Sequence, residues 1–382
     1  MKFVLILSSL LFFVSCNTQQ TKIDEKKREE DIFVAGTDNF NLKYAKGFTI
    51  EEKDGYKIIT LNEAWKDVGE THRYVLYKDK KPAVVLGAEF IKVPIKTIAC
   101  MSLTHVAFLE KLGLENTIIG VSGSKCVSSK NVRERIDNKF IKELGQEQNV
   151  NYELLTESSP DIVMAFGINT SSNAALNKMK ELGLNVVLNS EYMENHPLGK
   201  AEWIKFVAAF YNKSELADSI FNNIEIEYNE LANLVKSIKN KPTVFTGMPW
   251  SGSWYVPGGE SFQAKLFKDA GAEYLWSDNE EKSSLIKAKE VIIDEAYDAD
   301  FWLNLNSYTT IASVVNFDEK FKGISAIKKE QLYNNDALLN GAGGNAYWES
   351  GVVNPHIVLK DLIEVFHPDI LDHELYYYRK ME

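Results

Sequence analysis

From Ser214 to Ile238 apolar side chains return every three or four positions, at Leu216, Ile220, Ile224, Tyr228, Leu231, Val235 and Ile238. Asp218, Asn222, Glu225, Asn229 and Lys236 fall between them. The spacing predicts one long amphipathic helix, with an apolar stripe against protein and a polar side in water. Ser214 is its expected N-cap, and Pro242 stands just past its end. At 1.5 Å per residue such a helix is roughly 35 to 40 Å long, the width of a domain. Segments of similar size and order lie on either side, so the helix reads as a strut joining two lobes. An ordinary core helix inside one domain is the alternative.

Between Pro94 and Asn189 apolar strand-like runs alternate with helical ones: IKTIACM, THVAFLEKLGL, TIIGVSG, NYELLTES, DIVMAFG, NAALNKMKELG and NVVLNS. Continuous apolar strands in such an alternation imply a parallel sheet covered by helices. After the strut the order returns in PTVFTGM, SFQAKLFKDAG, EYLWS, KEVIIDEAY, ADFWLNL and HIVLKDLIEVF. Ahead of both, from Asn41 to Asp79, β-rich runs broken by Asp54-Gly55 predict a hairpin in a small antiparallel unit. The fold class is therefore α/β, with two Rossmann-like lobes, one long connecting helix and an N-terminal β unit. The expected division is 41–200 for the first lobe, 201–240 for the linking helix region and 241–382 for the second lobe.

A length of 382 residues, 45% hydrophobic and 25% charged, suits two domains with cores of their own. A net charge of -11 argues against a nucleic-acid backbone as partner. Met1 to Cys16 carries one Lys, then an apolar run too short to span a bilayer, then Val-Ser-Cys. That pattern predicts an export signal over 1–16. Residues 17–40 begin polar and charged without an apolar period, as a flexible tether would. Cys100 and Cys126 remain, as a pair or as buried free thiols, and no zinc spacing is present.

The halves share a detail. Glu153 opens a short helix with Asp161 eight residues on, just before a strand; Glu290 and Asp298 repeat the arrangement. LEKLGLENTIIGV and LFKDAGAEYLW are similar helix-Gly-strand units, so an internal duplication is the economical reading.

With the Val-Ser-Cys signal, TIACMSLTHVAFLEKLGLENTIIGVSG, NYELLTESSPDIVMAFG, WYVPGGESFQAKLFKDAGAEYLW and YWESGVVNPHIVLKDLIEVFHP, the chain resembles the substrate-binding proteins of ABC importers for iron-siderophore complexes, haem and cobalamin. The likeness runs from about Pro94 to Pro368. It implies two α/β lobes bridged by a single helix, a ligand held between them, no resident cofactor and no catalytic residues. It also implies a lipid anchor at Cys16, an extracytoplasmic monomer on a bacterial membrane (periplasm first), and delivery to an ABC permease and its ATPase. One surface Glu per lobe docks on the permease in that family, and Glu153 and Glu290 hold the matching positions.

In open parallel sheets ligands approach the carboxyl ends of the strands. In the first lobe those ends offer Ser102, Thr104, His105, Ser122, Gly123, Ser124, Lys125, Phe166, Gly167 and Asn169. In the second they offer Met248, Trp250, Trp254, Tyr255, Asn306, Tyr308, Asn345, Tyr347 and Trp348. The aromatic run PWSGSWYVPGG suits a bulky, flat or greasy ligand. His105 is open to two readings, a metal contact or a buried core residue, and Arg133 and Arg135 to chelate contacts or surface charge. Scattered histidines disfavour a bare metal ion but not a chelated one. An iron-siderophore is the first expectation, cobalamin or haem the next. A lipid-anchored extracytoplasmic hydrolase is the alternative, although no G-x-S-x-G elbow or phosphate-binding Gly-Lys loop is present.

Overall fold

The computed structural model describes residues 42–62, 71–83, 85–146, 149–167 and 170–382, and residues 39–382 make one compact unit. The predicted signal, the whole of the tether, and Asn169 lie outside the described residues. Strands β1 (Phe48–Lys53), β2 (Tyr56–Leu61), β3 (His72–Tyr77) and β4 (Ala88–Lys92) form a four-stranded sheet in that order. Lys53 faces Tyr56 across the two-residue Asp54-Gly55 turn, where Gly55 takes a φ of 84° that a side chain would resist. The sheet is not wholly antiparallel as expected, because β4 pairs in parallel with β3.

The first α/β half comprises β5 (Ile98–Cys100), α1 (Leu103–Lys111), β6 (Ile118–Val121), α2 (Lys130–Asp137), β7 (Lys142–Glu143), α3 (Tyr152–Ser158), β8 (Ile162–Ala165), α4 (Thr170–Glu181) and β9 (Val186–Leu188). Its sheet is parallel, in the order β7-β6-β5-β8-β9. Two short buried helices follow, α5 (Pro197–Glu202) and α6 (Ile204–Ala209), and then the long helix α7 (Ser214–Val235).

Twenty-two residues give α7 a length of roughly 33 Å. It is shorter than the sequence pattern suggests: Ile238 lies beyond it, and Ser214 is its first residue rather than its cap, which is Lys213. Its buried row is Ala217, Phe221, Ile224, Tyr228 and Val235, while Leu216 stands exposed. The row therefore begins one residue later than the stripe read from Leu216 and Ile220, a rotation of about 100° at that end. Tyr228 fixes it by donating to Asp269 at 2.7 Å. The helix packs on α6 and, beyond it, on a helix of the second half.

That half comprises β10 (Thr243–Thr246), β11 (Trp254–Pro257), α8 (Phe262–Asp269), β12 (Glu273–Tyr274), β13 (Ser284–Lys287), α9 (Lys289–Glu295), β14 (Phe301–Leu303), α10 (Ile311–Phe317), α11 (Ser325–Lys328), β15 (Leu332–Asn334), α12 (Ala346–Glu349), α13 (Pro355–Phe366) and β16 (Arg379–Lys380). Its sheet runs β12-β10-β14-β15-β16, with only β16 antiparallel, and β11 and β13 form a separate ribbon. The long helix packs on α13.

Four strands of each half occupy the same places: β6-β5-β8-β9 matches β12-β10-β14-β15. The strand entrances match at atomic level. The Thr97 amide donates to the Asp161 carboxylate at 3.0 Å and the Asp161 amide donates to the Thr97 hydroxyl at 3.0 Å. Thr243 and Asp300 exchange the same two bonds, each at 3.0 Å. The counterpart of Asp161 is thus Asp300, two residues beyond the Asp298 that sequence spacing suggested. Ser102 and Ser261 cap the matching helices α1 and α8.

Candidate functional site

The cap alignment places the first turns of α1 and α8 in corresponding positions, and both turns face one cavity. Thr104 lines it from α1; Phe262 and Leu266 line it from α8. Glu191 and Tyr192, just past the carboxyl end of β9, and Pro197 and Lys200 on α5 make a second wall. Tyr347 and Trp348 on α12, with Gly351, Val352, Pro355 and Val358, close the third. The enclosed volume is about 260 Å3. A larger hollow of about 940 Å3 lies between the N-terminal sheet, residues 190–196 and α8. Lys46, Lys241, Lys265, Lys268 and Lys282 line it, and it takes in none of the site residues proposed from sequence. The smaller cavity is the stronger candidate, because buried polar groups and aromatic faces converge there on a mostly apolar wall.

Tyr347 is buried and Trp348 is 51% exposed, their rings 4.8 Å apart and nearly perpendicular. Burial pushes the Tyr347 phenol up to about 12, partly offset by hydrogen bonds with Tyr378 and Gln263, so it stays a neutral donor. Burial also raises the Glu191 carboxyl, against the pull of Lys200 and a hydrogen bond with Thr104. Lys200 moves the other way: burial holds it down to about 8, with Glu191 and Glu194 opposing the change. Ser102 caps α1 and its hydroxyl lies 2.9 Å from that of Thr104, which steadies the cavity's first-half edge.

Thr104, Tyr347 and Trp348 are therefore brought together, and Asn345 supports them by capping α12. Trp254 is not at a ligand edge. It is fully buried, donates from its indole to the Thr246 carbonyl at 3.1 Å and stacks on Trp302. Strand alternation explains this: within β11 Trp254 and Val256 point inward and Tyr255 outward. Tyr255 and Trp250 are 46% and 69% exposed on the β11–β13 ribbon, outside the cavity, and Met248 is buried in the core. His105 is wholly buried beside Phe166, so it packs in the core away from any ligand, and desolvation lowers it to about 3, with the Met164 backbone opposing, which keeps it neutral there. Phe166 lines a small hollow with Met101 and Met179, and the Gly167 carbonyl accepts from the Tyr192 hydroxyl. Asn306 and Tyr308 lend carbonyls to the Asn334 amide at 2.9 and 3.2 Å.

Ser122, Gly123, Ser124 and Lys125 belong to a loop engaged elsewhere. Ser122 bonds back to Cys100, and Glu143 accepts the amides of Gly123 and Ser124 at 3.0 and 2.6 Å. Arg133 braces the carbonyls of Ser124, Lys125 and Val127; Arg135 braces those of Asn116 and Ile118. The second half closes over this loop. Asn340 donates to the carbonyls of Lys125 and Val127 at 3.1 and 3.0 Å, and Glu349 accepts the amides of Ser128 and Ser129 at 2.6 and 3.1 Å. Cys100 and Cys126 are free thiols. Among the described residues no group of three or more His, Cys, Asp or Glu is placed to hold a metal ion.

Glu191, Tyr192, Lys200 and Phe262 escaped the sequence reading. Glu191 and Tyr192 do lie beyond a parallel strand, so the rule that located Ser102 and Phe166 also reaches them. Lys200 gave no such signal, because a lysine in a six-residue helix reads as surface charge. Glu153 and Glu290 stand exposed in the first turns of α3 and α9, where the helix dipole favours an acid.

A family model described as periplasmic binding protein matches residues 98–338. An uncharacterized lipoprotein of Methanocaldococcus jannaschii is 26% identical over 351 residues, covering 86% of this chain and 82% of that protein. A possible iron-binding (periplasmic solute-binding) protein from Staphylococcus epidermidis has a similar structure, with a TM-score of 0.56 at 19% identity over 72% of this chain and 99% of that one. A periplasmic heme binding protein from Pseudomonas aeruginosa gives 0.59 at 13% identity over 75% and 98%. At such identities the two structures speak for the fold.

Proposed function

Because the chain belongs to the periplasmic binding protein family, we propose that it captures a metal chelate between its two α/β halves and delivers it to an ABC permease. The family and its structural neighbours are binding proteins, so the chain is not an enzyme and the hydrolase alternative falls. The observation that carries the proposal is the convergence of the first turns of α1 and α8 on one cavity, closed by Tyr347 and Trp348. Flat apolar walls with few buried polar groups suit the organic shell of a chelate better than a bare ion. An iron-siderophore is the first candidate, with haem and cobalamin next. A macrocycle would rest only an edge in about 260 Å3 and leave the remainder at the mouth beside Trp348.

Lipidation of Cys16 would hold the carrier to the outer face of a membrane, since each buried methylene contributes about 0.8 kcal/mol. Among the described residues no helix is long and apolar enough to cross a bilayer. Glu153 and Glu290 are the proposed permease contacts, setting orientation and capture rate through paired cations on the partner. Calorimetric titration with ferric siderophores, haemin and cyanocobalamin tests the reading. One saturating one-to-one isotherm is expected, and silence with every chelate overturns it. Charge reversal at both glutamates should leave that isotherm unchanged and abolish uptake by cells; surviving uptake removes them from the docking surface.

A further inference from the structure

Every residue of α5 is buried, Lys200 among them. Its ammonium donates to the carbonyls of Tyr192 at 3.0 Å and Glu191 at 3.3 Å, and lies 4.6 Å from the centre of the Phe262 ring. An ammonium carries three donors. Among the described residues it meets no third hydrogen-bond acceptor, and the face of Phe262 is what stands beside it. Lys200 and Phe262 both line the cavity. A leucine or methionine would fill the same space without the desolvation cost of a buried charge. The neighbouring carboxylate does not remove that cost by a direct bond, because Glu191 engages Thr104 and lends Lys200 only its backbone carbonyl and its field. An acceptor arriving from the cavity would complete the set.

Resting on the ligand reading above, we propose that Lys200 determines specificity by donating its third N–H to an anionic oxygen of the cargo, a carboxylate being the simplest. The cargo class is a chelate with a carboxylate at the edge of a flat apolar face, the face lying on Phe262 and Trp348. The charged groups around Lys200 are Glu191 and Glu194; α8 offers the cavity Phe262 and Leu266, and α13 offers Pro355 and Val358, none of which titrates. Lys200 is therefore cationic at neutral pH and loses its proton as pH rises through about 8.

Matched probes isolate the carboxylate: haemin against its dimethyl ester, and a ferric trihydroxamate with and without a carboxylate arm, titrated into the folded full chain. The wild type should bind the acid of one pair at least ten-fold more tightly than its masked partner. That preference should vanish in Lys200→Met, persist in Lys200→Arg and fade in the wild type as pH rises past 8. The pH series needs no variant, so it decides the matter even if Lys200→Met fails to fold. Equal binding of acid and masked probe by the wild type overturns this inference and leaves the carrier reading standing. Failure of all four probes to bind counts against both.

Discussion

The two five-stranded sheets repeat a frame and differ in what fills it. With the Thr97–Asp161 and Thr243–Asp300 entrances aligned, the middle of the central strand pair is Ala99 beside Val163 in the first sheet and Phe245 beside Trp302 in the second. Trp254 then stacks on Trp302 at 5.8 Å, and Phe321 meets both rings edge-on. The extra volume arrives with β11, inserted between β10 and α8 where the first half runs directly from β5 into α1, and β11 pairs with β13, which follows β12. Strand order, strand entrance and helix cap are the repeated parts. The layer above them is free to diverge, because small and large side chains fill a sheet face equally well if the neighbouring layer adapts. The same comparison explains the ligand site, where Thr104 and Phe262 come from corresponding helix turns and bring different chemistry.

The largest expected difference lies in those central pairs. Trp302→Ala should cost about 3–5 kcal/mol, and its counterpart Val163→Ala about 2 kcal/mol. Denaturant midpoints of the two variants check the order, and equal losses would mean the aromatic cluster adds nothing to the second sheet.

A second asymmetry is polar. Aligning Ser102 with Ser261 sets His105 opposite Ala264, so only the first half buries an imidazole there. With its folded value lowered to about 3 and the unfolded chain near the ordinary 6.5, the unfolded state binds the proton first. Stability is then full above about pH 6.5 and falls toward pH 3, by an amount on the order of a few kcal/mol. His105→Phe should flatten part of that acid limb in urea unfolding at pH 7 and 4.5. His196 and His356, each lowered to about 4 by burial, and His367, also lowered by burial, contribute to the remainder. An unchanged limb would place the acid sensitivity elsewhere.

The smallest difference should be at the entrances themselves. Asp161→Ala and Asp300→Ala should each cost about 1 kcal/mol, within error of each other, since each removes a charged acceptor from the amide donors of a partly exposed strand entrance. Burial acts to raise the Asp300 carboxyl, but bonds from Thr243 and Lys329 outweigh it and leave it lowered. Its contribution is present above the ordinary carboxylate range and is lost as pH falls through the lowered value. Thermal melts at pH 7 and pH 3 check both statements; a loss confined to one aspartate would end the equivalence of the two entrances.

The α/β class, the long helix, the strand-helix alternation on either side of it and the Asp54-Gly55 hairpin were legible because period and turn chemistry are local. What escaped was set by layers distant in sequence. Leu216 and Phe221 compete for the same helix face, and only α6 and α13 decide between them. Trp250, Trp254 and Tyr255 share one Gly-rich stretch, yet alternation within β11 sends Trp254 inward and Tyr255 outward, and the Ser251-Gly252 turn ahead of the strand leaves Trp250 on the surface. Lys200 became visible only when α8 brought Phe262 against it.

Trp348 is the half-exposed ring at the mouth of the cavity, so its fluorescence reports the central claim most directly. Titrating the wild type with the chelate panel should quench tryptophan emission saturably with at least one member, and Trp348→Phe should lose most of that quench while Trp250→Phe retains it. A saturable quench carried by Trp250 and indifferent to Trp348 would put the ligand on the ribbon surface and contradict a site between the two halves.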